Sequence, residues 1–262
     1  MKKSTYRLFF VILTASWLCG CSVKSDDPGI VVDIPKTFYV DLFEQLDTLQ
    51  RKLIFKASSI EAQDCKNYLI SHTYHRQNGT LFLSLNEILP PDECQPGEGA
   101  ATADIEVGYL VEGMYGLEVN LKNTVHNIGT LTVNDEYFEI QLDSYDGIEL
   151  VHSRLLRIPD HTVWGYVGYA QPGFAGPAME FLHDLELIAE SRPYDPGYYG
   201  YFTINVADEI VYSQSTGHPY TNKFMYQFDG NEQDLIDLIG QYRNQYPDGI
   251  DFYLVDDQGI VY

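Results

Sequence analysis

Residues 67–86 read NYLISHTYHRQNGTLFLSLN, with two segments of alternating polarity on either side of Asn78-Gly79. Asn-Gly is the strongest short signal for a β-hairpin, because both central residues of a type I′ turn need a positive φ. A two-residue loop also sets the register, which pairs Tyr74 with Leu83. The sequence therefore predicts an antiparallel hairpin centred on residues 78 and 79.

The same register sets the positions of His72 and His75, the one close pair of histidines in the sequence. It places His72 opposite Leu85 and His75 opposite Phe82. Because side chains alternate between the two faces of a strand, these histidines point to opposite faces and cannot share one metal ion. We expect His72 to be packed and hydrogen-bonded in the core rather than to act as a ligand.

From about residue 36 to residue 170 the hydrophobic pattern stays mostly of period two. The further predicted strands cover residues 103–110, 115–121, 130–133, 137–142, 148–158 and 163–169. Many short strands separated by turn residues are typical of a β-sandwich or a β-barrel. One segment differs, because Leu42, Leu46, Leu49 and Leu53 recur at helical spacing. This spacing predicts a short flanking helix over residues 41–53.

Residues 110–119, LVEGMYGLEV, resemble the tyrosine corner of immunoglobulin-like and fibronectin-like sandwiches. In that motif a tyrosine at the start of a strand bonds back to the backbone a few residues upstream, and here the tyrosine is Tyr115. The match lacks the usual proline. The resemblance implies that residues 36–170 form an immunoglobulin-like β-sandwich domain.

The pattern changes after the turn-forming residues 171–177, QPGFAGP. Pro177 suits the first position of a helix in which Phe181, Leu182 and Leu185 share one face. Asn231 suits the N-cap of a second helix. Strands are predicted at 201–206, 210–212, 223–228, 250–255 and 260–262. We therefore expect residues 171–262 to form a small α+β domain with two helices on a sheet, in a chain that is mainly β with α+β.

Residues 1–20 have the layout of a secretory signal peptide. Lys2, Lys3 and Arg7 precede an apolar stretch that is too short to cross a bilayer. Residues 18–21, LCGC, resemble the lipobox of bacterial lipoproteins, in which the cysteine after a small residue is lipidated and becomes the mature N-terminus. The resemblance implies lipidation at Cys21 and a flexible tether over residues 21–35. An ordinary signal peptide with an incidental cysteine is the alternative.

The tether contains a short acidic run, KSDD, at residues 24–27. This run resembles the export segment of Bacteroidetes-type lipoproteins, which sends them to the outer face of the cell. The resemblance implies an outer membrane lipoprotein that is exposed at the cell surface. The membrane is then a partner of the protein through its N-terminal lipid.

After removal of the signal peptide and lipidation of Cys21, two cysteines remain, Cys65 and Cys94. Neither belongs to a Cys-x-x-Cys or metal-binding pattern. In an oxidising compartment two such thiols are expected to pair, so we predict a Cys65–Cys94 disulfide. Two separate buried thiols are the alternative.

The chain is strongly acidic, with 38 Asp and Glu against 16 Lys and Arg and a formal net charge of −22. A surface of that sign repels phosphates, which excludes generic nucleic-acid binding and disfavours electrostatic attachment to anionic lipid. The acidic pairs Asp143/Asp146 and Asp256/Asp257 lack the spacing of a calcium loop, so we interpret them as turn-forming carboxylates. No cofactor or metal site is predicted.

The sequence also lacks the motifs of the common enzyme classes. The favoured hypothesis is therefore a lipid-anchored, non-enzymatic binding or assembly module whose partner is another envelope protein or a glycan. A glycan-binding accessory lipoprotein is the first alternative, with Tyr194, Asp195 and Tyr198 of the tyrosine-rich segment 194–201 as the ligand-binding residues. A hydrolase with an unrecognised carboxylate site is the second, and a cleft that gathers ionisable groups would favour it.

Overall fold

A computed structural model describes residues 34–122 and 124–262. The predicted signal peptide, the lipidation site Cys21 and all but the last two residues of the predicted tether lie outside these residues. Residues 34–262 form one unit in which sheets and helices pack together.

Sixteen strands and two α-helices are present in the described residues. The first ten strands are β1 (Phe38–Gln45), β2 (Lys52–Cys65), β3 (Leu69–Gln77), β4 (Thr80–Leu89), β5 (Pro96–Gly108), β6 (Gly113–Leu121), β7 (Val125–Val133), β8 (Tyr137–Leu142), β9 (Ile148–Leu150) and β10 (Arg154–Leu156). The remaining elements are β11 (Thr162–Tyr169), α1 (Ala175–Glu186), β12 (Gly197–Tyr198), β13 (Thr203–Ile204), β14 (Ile210–Val211), β15 (Tyr220–Gln227), α2 (Glu232–Gln245) and β16 (Asp251–Asp256).

Strands β1 to β10 form one large sheet in the order β10-β8-β7-β6-β4-β3-β5-β2-β1-β9. Strands β9 and β10 follow each other in the chain yet lie at opposite ends of this order. The segment between β9 and β10 forms hydrogen bonds near both ends of the sheet. The Val151 amide donates to the Val40 carbonyl of β1 (2.9 Å), and the Ile140 amide of β8 donates to the Ser153 carbonyl (2.8 Å). The sheet is therefore folded over on itself, with its apolar side chains inside.

The class mainly β with α+β is confirmed. The folded ten-stranded sheet differs in one respect from an immunoglobulin-like sandwich. Hydrogen bonds join all ten of its strands into one sheet, whereas an immunoglobulin-like sandwich consists of two separate sheets. Strand β2, with 14 residues, and its partner β5, with 13, are long and have irregular register. Such irregularities bend a strand, which lets one sheet close over its own core.

The β3–β4 hairpin has the predicted register. Tyr74 pairs with Leu83, and Asn78 and Gly79 have φ values of 50° and 79°. His72 pairs with Leu85 as expected, but the prediction that His72 lies in the core is wrong, because its side chain is exposed. Strand β3 pairs with β4 along its whole length but meets β5 at a single pair of residues, so its other edge is uncovered over most of its length.

The predicted helix over residues 41–53 is also wrong. Residues 38–45 form β1, which pairs antiparallel with β2. Phe38, Val40 and Leu42 alternate into the core, whereas Leu49, which the helical stripe required to be buried, is 94% exposed. The helical spacing of the leucines does not reflect a shared face: Leu42 lies on β1, Leu46 and Leu49 follow β1, and Leu53 lies on β2.

A second sheet has the order β15-β11-β16 and carries both helices. Strand β11, which the sequence assigned to the first domain, is its central strand. Its Val163 and Val167 pack with Phe181 of α1 and Ile239 of α2. The predicted N-cap of α2 is present, with the Asn231 side chain accepting from the Gln233 amide. Neither helix is long and apolar enough to cross a membrane.

Cys65 and Cys94 lie at disulfide-bonding distance, with 5.4 Å between their Cα atoms, as the sequence predicts. Cys65 is the last residue of β2 and is buried. It pairs with Pro96 at the start of β5. The link therefore joins the end of β2 to the segment that leads into β5.

Candidate functional site

The face of the second sheet opposite the helices is rich in aromatic side chains. Along β11 the side chains alternate, so Trp164 and Tyr166 point away from the helix face that holds Val163 and Val167. Tyr166 pairs with Tyr253 of β16, and their rings stack with centroids 5.4 Å apart. This face of the sheet therefore presents a row of rings.

The rings form one side of a cleft of about 550 Å³, which we call the aromatic cleft. Its other side comes from the outer face of β1 and β2 and from the segment that carries β12 to β14. The lining residues are Asp41, Phe43, Lys56, His152, Trp164, Tyr166, Tyr198, Gly200, Tyr201, Tyr212, Ser213, Gln214, Ser215, Thr216 and Tyr253. The aromatic cleft thus lies between the outer face of β1 and β2, the segment that carries β12 to β14, and the ring-bearing face of the second sheet.

Trp164 is the most buried ring of the aromatic cleft, with 1% of its surface exposed. Its ring centroid lies 5.3 Å from that of Tyr201 and 6.4 Å from that of Tyr212. Within the described residues, neither the Trp164 Nε1 atom nor the buried Tyr212 hydroxyl has a hydrogen-bond partner. A buried donor without a partner costs about 1–3 kcal/mol, so two neighbouring ones point to a ligand that accepts hydrogen bonds.

Burial keeps the cleft's phenols neutral. Desolvation is the main reason that the pKa of Tyr212 lies well above its usual value, and the pKa values of Tyr166, Tyr201 and Tyr253 are raised for the same main reason. Neutral phenols keep their protons and remain hydrogen-bond donors. The Tyr166 hydroxyl donates a hydrogen bond to the Thr216 carbonyl at 3.3 Å. The buried Tyr212 hydroxyl, by contrast, has no partner among the described residues.

Asp41, His152 and Tyr198 form a compact cluster at one end of the aromatic cleft. The His152 Nδ1 atom lies 3.1 Å from both carboxylate oxygens of Asp41, and the Tyr198 ring stacks on the imidazole with centroids 3.7 Å apart. Burial raises the pKa of Asp41, although His152 opposes this effect. Burial and the nearby Asp41 charge raise the pKa of Tyr198. The cluster fixes the orientation of the Tyr198 ring.

Of the residues that the structure describes, Asp41 is the one carboxylate in the lining of the aromatic cleft, beside the bases Lys56 and His152. Ionisable groups do gather here, which is the feature expected of a hydrolase. However, glycoside hydrolysis in its usual form needs two carboxyl groups on either side of the scissile bond. The aromatic cleft offers a single carboxylate, and both of its oxygens already face His152. This arrangement is better suited to binding than to that chemistry.

The sequence-predicted ligand residues Tyr194, Asp195 and Tyr198 line a second cavity of about 930 Å³ together. Tyr198 also lines the aromatic cleft, but Tyr194 and Asp195 do not. Tyr198 lies on the short strand β12 and not at the predicted loop tip. The structure therefore brings the three residues together, while it places most of the aromatic surface elsewhere.

Arginines line the second cavity, but carboxylates already pair with them. Arg157 contacts the buried Glu44 at 2.8 Å, Arg154 contacts Glu139, and Arg51 contacts Asp160 and Asp257. Asp195 uses its backbone carbonyl to accept a hydrogen bond from the Tyr199 hydroxyl. Carboxylates of the protein therefore already neutralise the three arginines of this cavity.

Two further sequence interpretations concern metals. Among the residues that the structure describes, no three His, Cys, Asp or Glu side chains come together as a metal site. The Asp256 carboxylate accepts hydrogen bonds from the Gln258 and Ile260 amides, as a turn-forming carboxylate does. The pair His72 and His75 lies on the exposed strand β3.

Sequence reasoning missed Trp164, Tyr166, Lys56 and Tyr253 as site residues. The alternation in residues 163–169, VWGYVGY, is visible and places Trp164 and Tyr166 on one face. The sequence contains no sign of which face the helices cover. No protein-family model, curated protein or solved structure matches this chain.

Proposed function

We propose that this protein is a lipid-anchored, non-enzymatic binding module of the cell envelope, and that it binds a saccharide in the aromatic cleft. The observation that carries the proposal is the pair of buried, unpartnered donors, Trp164 Nε1 and the Tyr212 hydroxyl, in a cleft lined by aromatic rings. Sugar hydroxyls supply acceptors for such donors. The apolar C–H faces of a sugar ring stack on tyrosine and tryptophan.

The arrangement of the rings supports a ligand of that shape. The stacked Tyr166 and Tyr253 are half-buried, so each keeps part of its surface toward the cleft. The Tyr198 ring is held against His152 at the other end. Ring orientations that are set before binding reduce the entropy lost when a ligand is immobilised. The single paired carboxylate, Asp41, favours binding over hydrolysis.

A glycan array followed by calorimetry on the mature protein tests the saccharide proposal. Tyr212→Phe removes one unpartnered donor and keeps the ring, so we expect affinity for a glycan hit to fall about tenfold while stability is unchanged or rises slightly. Trp164→Phe should weaken binding as well, at some cost in stability. The control is Tyr220→Phe, because Tyr220 is exposed and outside the cleft.

Two results would contradict the proposal. The first is an array without a saccharide hit. The second is a hit whose affinity is the same for wild type, Tyr212→Phe and Trp164→Phe. Tyr198→Ala adds a check on the predicted ligand residue, since loss of binding at an unchanged melting temperature assigns Tyr198 to the site.

The envelope location rests on the lipobox resemblance and needs its own experiment. Expressed in its host, wild-type protein is expected to partition into detergent and carry acyl chains, whereas Cys21→Ala is expected to stay an unlipidated precursor. Equal acyl labelling of both forms would contradict the anchor. Protease added to intact cells tests surface exposure, and full protection of the chain would indicate a periplasmic location.

A further inference from the structure

Lys56 is a half-buried basic residue in the lining of the aromatic cleft. Among the described residues, no carboxylate lies within salt-bridge distance of its ammonium group, whereas the three arginines of the neighbouring cavity all have carboxylate partners. Acidic residues outnumber basic ones by more than two to one in this chain, 38 against 16. An unpaired lysine inside a cleft therefore needs a physical explanation.

The surroundings of Lys56 explain how the ammonium group is held. Lys56 lies on β2 directly opposite Asp41 of β1. The Asp41 carboxylate turns to His152, with both oxygens 3.1 Å from Nδ1. The Lys56 Nζ atom lies instead 4.2 Å from the centroid of the Phe43 ring. A cation over a ring face is positioned by electrostatic attraction, but its three N–H donors remain available.

Three of the cleft's hydrogen-bond donors therefore have no partner among the described residues. They are the Lys56 ammonium group, Trp164 Nε1 and the Tyr212 hydroxyl. Aromatic rings connect these groups. The Phe43 ring, which contacts the Lys56 ammonium group, has its centroid 4.8 Å from that of Tyr201, and the Tyr201 centroid lies 5.3 Å from that of Trp164. A neutral sugar would satisfy the two uncharged donors and leave the positive charge without a partner.

We infer that the ligand of the aromatic cleft is an acidic saccharide, whose carboxylate or sulfate group binds Lys56 while its sugar ring stacks on the tyrosines. This inference rests on the proposed function and narrows it to one chemical class. Charge-assisted hydrogen bonds are stronger than neutral ones, so the anionic group contributes both affinity and specificity. The formal net charge of −22 repels every anion at long range, so binding of an acidic saccharide depends on the local contact with Lys56 and on ring stacking.

Calorimetry with matched ligands tests the inference. The first pair of ligands is a galacturonic acid oligomer and its methyl ester, which keeps the rings and removes the charge. The second pair is a sulfated glycan and its desulfated form. We expect wild-type protein to bind the charged member of at least one pair about tenfold more tightly. Lys56→Met should abolish this preference.

The matched control variant is Lys52→Met on the same strand, because Lys52 pairs with Glu106 and does not line the cleft. It should keep the preference for the charged ligand. Equal binding of charged and uncharged members, or a preference that survives in Lys56→Met, would overturn the inference. Uncharged saccharides that bind in a Trp164-dependent way would then leave the proposed function standing. Absence of all saccharide binding would overturn both.

Discussion

The Tyr115 hydroxyl donates a hydrogen bond of 2.7 Å to the carbonyl of Val111, four residues upstream. The sequence predicted this tyrosine corner at the start of β6, and the contact confirms it. The same spacing recurs at Tyr199, whose hydroxyl donates to the Asp195 carbonyl at 2.9 Å. Each hydrogen bond connects a tyrosine hydroxyl to the backbone four residues upstream. The bond of Tyr199 lies in the segment that borders the aromatic cleft.

Tyr115→Phe removes that hydroxyl without removing the ring. The Val111 carbonyl then loses an intramolecular partner, so we expect the free energy of unfolding to fall by about 1 kcal/mol. Urea denaturation measures the change. Tyr109→Phe is the control, because Tyr109 is exposed. Equal stability of Tyr115→Phe and wild type would mean that the corner does not stabilise the fold.

Gly79→Ala tests the turn of the β3–β4 hairpin. Gly79 has a φ of 79°, a region that costs an L-residue about 1–2 kcal/mol, although a Cβ atom would meet no other atom within 4 Å. We therefore expect a loss of about 1 kcal/mol that comes from backbone strain alone. Gly173→Ala has similar open space without the positive φ and should have little effect. Similar losses in both variants would contradict the explanation.

The double variant Cys65→Ala/Cys94→Ala removes the cross-link between β2 and the segment before β5. The cysteines are 29 residues apart, and closing a loop of this size stabilises a fold by about 3–4 kcal/mol in the chain-entropy model. We expect a lower melting temperature in calorimetry. Mass spectrometry of unreduced wild-type peptides should show Cys65 joined to Cys94. Free thiols in the oxidised mature protein would contradict the pairing.

Asp41→Asn tests the electrostatics at the end of the aromatic cleft. Burial raises the pKa of Asp41 above its usual value of 3.8, so the folded state binds this proton more tightly than the unfolded state does. The stability that protonation of Asp41 contributes is fully present below pH 3.8 and is lost as pH rises through the raised pKa. Relative to Asp41→Asn, wild type should therefore become less stable between pH 3 and pH 7.

Denaturant unfolding at several pH values measures this difference. Asp104→Asn, which removes an exposed carboxylate on β5, is the control and should change the pH dependence less. The difference in the free energy of unfolding between wild type and Asp41→Asn could instead stay constant with pH, or favour wild type at pH 7. Either result would mean that the bond to His152 outweighs the effect of burial on the pKa of Asp41.

Features that depend on neighbouring residues in the chain were predictable. The register of the β3–β4 hairpin follows from the dihedral angles of Asn78 and Gly79, and the start of α2 follows from the Asn231 side chain. The Tyr115 corner spans four residues. In each case a short stretch of sequence contains all the atoms of the interaction, so its chemistry can be read without knowledge of the rest of the fold.

Features that depend on distant elements were decided by the tertiary structure. The leucines at helical spacing lie on β1, in the loop after it and on β2, because β1 and β2 pair with each other and this pairing outweighs local helix preference. His72 is exposed because β3 pairs with β4 but meets β5 at only one residue pair, which leaves its other edge uncovered. The aromatic cleft joins Phe43 and Lys56 of one sheet to Trp164 and Tyr253 of another, and these residues come together only in the folded chain. Alternation along a strand determines which side chains share a face, but only packing determines what covers that face.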